Sequence, residues 1–386
     1  MKNLNNHKKK TTSLFIVHRP FHILRSQSII EWRKRTGINQ KLICIVFDSP
    51  QFKTTHNMGD RGRNNTSRSM VSKTNSFSDK FNMDVLFDST LKVSRDEEPS
   101  IYNIVTFKQY YSKTIADFKI LLKSLGPISD IFFFSDKEKP IEIIVSLARS
   151  MWGSKSYLVN EGIVSYNDQS NLLLIVIKSI IVKMFSFKHI NNTTSYGGSS
   201  LFDYFLTENS FGIGVVNRPH LIIPKISSHS MINAYVSIDE EVPIGTVLYI
   251  SNALAEGRAL ESSEEYELID YLVSQILSSG SSILIKPHPV EAKNKFARYS
   301  YIPGIFIASD VLRPVEYYFV DTNISLICGS TSSALLNTHM NKKTVISLLH
   351  LFFKNGHPVE KIFASEGIVM PKNKEEFENI LRDHMF

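Results

Sequence analysis

Apolar positions along this chain fall into two kinds of pattern. One is the short, unbroken run: Leu14 to Val17, residues 41–47 (KLICIVF), 130–134 (DIFFF), 156–160 (SYLVN), 246–251 (TVLYIS), 282–286 (SILIK), 324–328 (ISLIC) and 344–348 (TVISL). Runs of this length, apolar on both faces, predict strands buried in a parallel sheet. The other has helical spacing. It covers ILRSQSIIEWRKR to about Arg35 as an amphipathic helix stopped by Gly37, a stretch near 108–125, and PIEIIVSLARSM with Pro140 in its first turn. It returns in a helix to Leu277 opened by a Ser262/Glu265 capping box, a helix through about His339, and the terminal EEFENILRDHM. Ordered sequence also resumes at DVLF (84–87). Strands alternating with helices are the α/β signature, and 386 residues suit two domains better than one core. We place the first domain at 1–225 and the second at 226–386, and expect a central cleft between them.

Two stretches break the pattern. Residues 49–80 are polar, aperiodic and rich in Ser, Thr and Asn, which predicts a mobile loop. Leu172 to Phe185 is the longest greasy stretch. It is shorter than the roughly 20 residues of a bilayer span and is interrupted by Lys178 and Lys183, so a core helix is expected. No secretory signal is visible at the start. Cys44 and Cys328 each lie inside an apolar run, which predicts buried free thiols and no zinc site. These features suit a cytoplasmic protein that touches a membrane, if at all, from its surface.

Charge refines this picture. The net +7 is uneven, because residues 1–80 hold 16 Lys/Arg against 4 Asp/Glu. A basic first segment predicts an anionic partner, such as the lipid of the inner face of the cytoplasmic membrane, an acidic glycan or nucleic acid. Solvated lysines at Lys8 to Lys10 explain the same charge equally well. No recognised nucleic-acid-reading motif occurs.

Ligands of open α/β sheets bind beyond the carboxyl ends of the strands, so chemistry is sought there. Four such ends are distinctive. Asn160-Glu161-Gly162 sets an acid, fit for a general base, beside a glycine that permits close approach. Lys286-Pro287-His288-Pro289 brackets one histidine with two prolines that restrict its backbone. Ser330, Thr331, Ser332 and Ser333 offer hydroxyls and main-chain N–H groups at a helix start, a ready anion site. Ser251 and Asn252 form a polar end near the others and face a nucleotide only if those do. As ordinary structure, these would be a loop acid, a surface turn and Ser/Thr caps. No Asp-x-Asp occurs, so the carboxylate pair for a metal-bridged nucleotide sugar is missing, and neither a metal nor a cofactor is expected. There is no P-loop, and Gly212-Ile213-Gly214 lacks the glycine that would complete a dinucleotide fingerprint, with Asn217 in that place.

In this order, NEG at 160–162, KPHP at 286–289 and STSS at 330–333 resemble the acidic-Gly, His-Pro and Ser/Thr motifs of bacterial sialyltransferases and polysialyltransferases of capsule and lipopolysaccharide synthesis. FIVHRPFH resembles the start of such enzymes, and places His18, Arg19 and His22, with Asn160, on the acceptor side. The resemblance spans roughly residues 14–340. It implies a GT-B fold of two Rossmann-like domains and an inverting, metal-independent transfer from CMP-sialic acid to a glycan or a lipid-linked oligosaccharide acceptor. It assigns Glu161 as the base, His288 to the departing CMP phosphate, and Lys286 with Ser330 to Ser333 to that phosphate's binding. Asn160 stands where the family has a first acid.

Three other readings remain at this point. A polysialyltransferase would use the basic segment to hold an anionic chain. A glycerophosphotransferase using CDP-glycerol also combines His-Pro with Ser-Ser. A non-catalytic membrane or nucleic-acid binder would use residues 1–80 alone.

Overall fold

The computed structural model describes residues 11–48, 81–94, 104–136, 138–160, 197–208, 218–225, 241–257, 259–292, 294–340, 343–353, 357 and 359–385. The chain forms two compact units. The first takes the described residues up to Asp48 and from Asn82 to Lys225, and the second takes Phe81 and those after Lys225. The first unit is therefore not continuous in sequence: the buried ring of Phe81 packs at 6.4 Å from Tyr317 of the second unit.

The strands of the first unit are β1 (Thr11–Val17), β2 (Gln40–Asp48), β3 (Ser89–Ser94), β4 (Asp130–Phe133), β5 (Lys155–Val159), β6 (Tyr204–Thr207) and β7 (His220–Ile222). They pair in parallel in the order β3-β2-β1-β4-β5-β6-β7. Among the described residues its helices are α1 (Pro20–Arg35), the single turn α2 (Met83–Leu86), α3 (Ile104–Leu125) and α4 (Lys139–Trp152). The segment expected to resume order at 84–87 is mostly that turn, and β3 follows it at the edge of the sheet. Leu14, Ile16, Ile43, Ile45, Ile131 and Phe133 pack on Tyr111, Phe118 and Leu122 of α3 and Ile141, Ile144 and Ala148 of α4. Gly37, at φ 73°, follows α1 in the left-handed conformation that favours glycine.

Helix α1 departs from the amphipathic expectation: every residue from His22 to Ile30 is buried. Several of its polar residues are bonded. Ser28 donates to the Pro224 carbonyl at 2.6 Å, Ser26 to the His22 carbonyl at 2.7 Å, Arg25 pairs with Glu208, and Arg33 pairs with Asp130 at 2.9 Å. Buried polar groups are tolerated when they are bonded.

In the second unit the strands β8 (Thr246–Ile250), β9 (Ile283–Lys286), β10 (Ile305–Ile307), β11 (Ile324–Gly329) and β12 (Thr344–Ser347) form a parallel sheet ordered β10-β9-β8-β11-β12. Helices α5 (Ser262–Ser278), α6 (Glu316–Phe319), α7 (Leu349–Phe352), α8 (Glu360–Ser365) and α9 (Lys374–Met385) accompany it among the described residues. Val247, Ile283, Ile285, Leu326 and Cys328 pack on Ile269, Leu272 and Ile276 of α5 and on Phe377 and Leu381 of α9. Cys44 and Cys328 are buried free thiols, and burial pushes both thiol pKa values well above their ordinary range.

Two helix starts differ from expectation. The capping box of α5 is Glu261 with Glu264, one residue earlier than read. Glu265 is withdrawn from that role because its carboxylate is bonded inside the unit, to Lys295 at 2.7 Å and to the Ala255 N–H at 3.1 Å. After β11 the chain forms a 3₁₀ helix, Ser333–Met340, in place of an α-helix. Ala334 with Asn337, and Leu335 with Thr338, are buried three residues apart, the spacing of a 3₁₀ face. Among the described residues no helix is long and apolar enough to cross a membrane; Leu172 to Phe185 and the 49–80 segment lie outside them.

Candidate active site

In each sheet the strand order reverses once, and such a reversal is where ligands gather in open α/β sheets. In the second unit the chain runs β8, β9, β10 to one side and then β11, β12 to the other, so the reversal lies between β8 and β11. The ends predicted to carry chemistry converge here. Ser251-Asn252 follows β8, Pro287-His288-Pro289 follows β9, and Ser330 follows β11. Ser330 donates to Asn252 Oδ1 at 3.0 Å, tying the ends of β8 and β11 across the reversal. The Ser330 carbonyl accepts from Ser347 Oγ at 2.6 Å, which fixes the start of the STSS segment against β12. Thr331, Ser332 and Ser333 are half-buried, and Ser332 Oγ accepts the Ala334 N–H at 3.3 Å. Gly329 makes this junction possible, because a Cβ there would sit 3.1 Å from the Ile250 carbonyl oxygen.

The β9 turn is held from below. His288 is exposed, its carbonyl accepts the Glu291 N–H at 3.0 Å, and its Nδ1 lies 3.4 Å from the Val290 N–H. Lys286 is buried, and its ammonium donates to the carbonyls of Pro287 at 3.2 Å and Val311 at 2.8 Å. The structure thus engages Lys286, expected at the phosphate, in the backbone of its own turn.

Sequence reasoning missed the group that links these ends. Glu291 is buried, and its carboxylate accepts from Ser251 Oγ at 2.6 Å, the His288 N–H at 2.6 Å and Lys295 Nζ at 2.7 Å. Burial pushes its pKa up, against the pull of those three donors. Lys295 also meets Glu265 at 2.7 Å and Glu256 at 3.1 Å. Carboxylate oxygens of Glu256, Glu265 and Glu291 lie within 4.8 Å of one another, a spacing that could hold a metal ion, but the Lys295 ammonium already bonds all three. The visible signal was the spacing in KPHPVEAKNK, with Glu291 three residues after His288 and Lys295 four after Glu291.

In the first unit the reversal lies between β1 and β4. His18 follows β1 and is buried, with Nε2 3.0 Å from Glu138 Oε1 beyond β4. The His18 N–H donates to His22 Nδ1 at 3.3 Å, and the His22 ring stacks on Phe134 at 4.2 Å. Glu138 was not singled out in the sequence. Arg19 is the half-buried residue before α1. Asn160, buried at the end of β5, donates its N–H to the Leu206 carbonyl at 2.9 Å. Glu161 lies outside the described residues.

A family model described as Alpha-2,8-polysialyltransferase (POLYST) matches residues 13–349. No curated protein sequence matches the chain. Among solved structures, it is similar to a putative UDP-N-acetylglucosamine 2-epimerase from Listeria monocytogenes, with TM-score 0.57 and 10% identity over 97% of this chain and 88% of that one. The S. aureus MnaA–UDP complex gives 0.54 and 12%, covering 97% and 87%. The Methanocaldococcus jannaschii UDP-GlcNAc 2-epimerase, in complex with UDP-GlcNAc and UDP, gives 0.52 and 11%, covering 97% and 92%. At these identities the likeness speaks to fold: two Rossmann-like α/β units of the GT-B type.

Proposed function

The chain belongs to the alpha-2,8-polysialyltransferase family and is a sialyltransferase, and from that premise we propose that it moves sialic acid from CMP-sialic acid to a terminal, galactose-type sugar of a bacterial surface glycan or its lipid-linked precursor. The transfer inverts the anomeric centre and uses no metal. Glu161 takes the proton from the acceptor hydroxyl as its oxygen bonds the anomeric carbon. The bond from that carbon to the phosphate oxygen breaks, and negative charge grows on the departing CMP. His288 donates to that phosphate, while Ser330, Thr331, Ser332 and Ser333 supply hydroxyl and main-chain donors to it. Donors fixed in advance where charge develops are worth several kcal/mol.

The observation that supports this most is the meeting of three strand ends at one sheet reversal: Asn252 and Ser330 bonded across β8 and β11, and the His288 turn bonded to Ser251 through Glu291. The family description favours a second reading, in which the acceptor ends in sialic acid and the chain is lengthened. Measuring CMP release with galactose-terminated and with oligosialic acceptors tests both. Release on neither acceptor would reject the transfer itself.

A further inference from the structure

The buried cluster beneath the β9 turn has a feature that stability alone does not require. Glu291 binds both the residue proposed to act on the leaving group and the residue at the end of the neighbouring strand. Its Oε2 accepts the main-chain N–H of His288, and its Oε1 accepts from Ser251 Oγ and Lys295 Nζ. Pro287 has a fixed φ and Pro289 restricts the residue before it, so the chain is stiffened on both sides of His288. Its position therefore follows the carboxylate that holds its N–H. That carboxylate is in turn fixed by an ammonium bonded to two further acids. Glu265 on α5 also accepts the Ala255 N–H at 3.1 Å, and Glu256 accepts the Ala292 N–H at 3.3 Å. The first bond ties the loop after β8 to α5, and the second ties that loop to the β9 turn.

We propose that Glu291 is a positioning residue that sets where His288 stands relative to the phosphate-binding edge of β8 and β11, with Lys295, Glu265 and Glu256 as its fixed base. The proposal rests on the reading of His288 as the leaving-group residue. Glu291 touches neither substrate nor phosphate in this role. An ionised carboxylate suits it, because it accepts on both oxygens. The amide of Glu291→Gln keeps the shape but turns a donor toward either the His288 N–H or the Ser251 and Lys295 side.

The test joins a spectroscopic readout to kinetics. In full-length protein labelled with ¹⁵N-histidine, the His288 amide resonance is assigned by its loss in His288→Ala. The proposal expects Glu291→Gln to move that resonance and to lower kcat with CMP-sialic acid on the order of 10- to 100-fold, the cost of misplacing a catalytic group by an ångström or less, with KM for the donor nearly unchanged. In the His288→Ala background the same change should cost little more, because the two act through one group. Should Glu291→Gln fail to fold, Glu291→Asp keeps the charge on a shorter stem and should give the same pattern. An unmoved amide resonance, or losses that simply add in the double variant, would overturn the proposal. If His288→Ala leaves kcat unchanged, the leaving-group reading falls instead, and the amide resonance still decides whether Glu291 sets the turn.

Discussion

Replacing Lys295 by Met leaves an apolar side chain of similar length inside three acids. The wild-type ammonium is 3% exposed and bonds Glu265 and Glu291 at 2.7 Å and Glu256 at 3.1 Å. Those acids hold its pKa at about 12, above the ordinary 10.5, against the opposing effect of burial. A rise of that size corresponds to about 2 kcal/mol favouring the charged form. This contribution is fully present below the unfolded value and is lost as pH rises through the folded one. Without the ammonium, carboxylates within 4.8 Å repel one another by about 3 kcal/mol per pair at an effective dielectric of about 20. Breaking a buried ion pair typically costs about 3–5 kcal/mol. We expect a loss in that range at pH 7.5, a fall in melting temperature on the order of 10 °C for a unit of this size.

The sign of the pH dependence follows from the acids. Burial already raises the Glu291 carboxyl, and losing Lys295 raises it further. The folded variant then takes up protons above the pH at which the unfolded chain does, so acidification relieves it more than it relieves the wild type. Melting both proteins by fluorimetry at pH 7.5 and pH 5 should therefore show the deficit shrinking at the lower pH. A deficit under about 1 kcal/mol, or one equal at both pH values, would show that Lys295 does not hold these acids together.

Three further outcomes are expected. Gly329→Ala puts a Cβ 3.1 Å from the Ile250 carbonyl and 3.6 Å from Leu335, so strands β8 and β11 must part slightly. We expect a loss of about 1–3 kcal/mol by melting and a raised KM for the donor, whereas an unchanged KM would separate this junction from the phosphate site. Glu161→Gln should keep CMP binding by calorimetry while turnover falls about 100-fold or more; near-normal turnover removes Glu161 as the base. Activity in excess EDTA should equal that in buffer, and a strict need for Mg²⁺ or Mn²⁺ would contradict the metal-independent reading.

The long buried strands were legible because each is a single apolar run with no competing period, as in 41–47 and 246–251. The short edge strands β3, β7 and β10 were not, nor was the inner strand β6, since three to six residues are too few to carry a period of their own. Helix α1 misled because several of its buried polar residues bond partners distant in sequence, such as Pro224 for Ser28 and Asp130 for Arg33. The candidate site was legible as motifs at strand ends, since Asn252, His288 and Ser330 each follow a recognisable strand. What joins them was not, because a sequence shows the charge of Glu291 and Lys295 but not that both are buried. Nor does a sequence show that the Lys286 ammonium bonds the Pro287 and Val311 carbonyls.

The most direct test of sialyl transfer is CMP release by the purified chain from CMP-sialic acid, with galactose-terminated and oligosialic acceptors, beside a parallel reaction offering CDP-glycerol. The expected result is acceptor-dependent CMP release from CMP-sialic acid, a sialylated product by mass, no turnover of CDP-glycerol, and loss of release in His288→Ala. Turnover of CDP-glycerol with CMP-sialic acid left intact would contradict it.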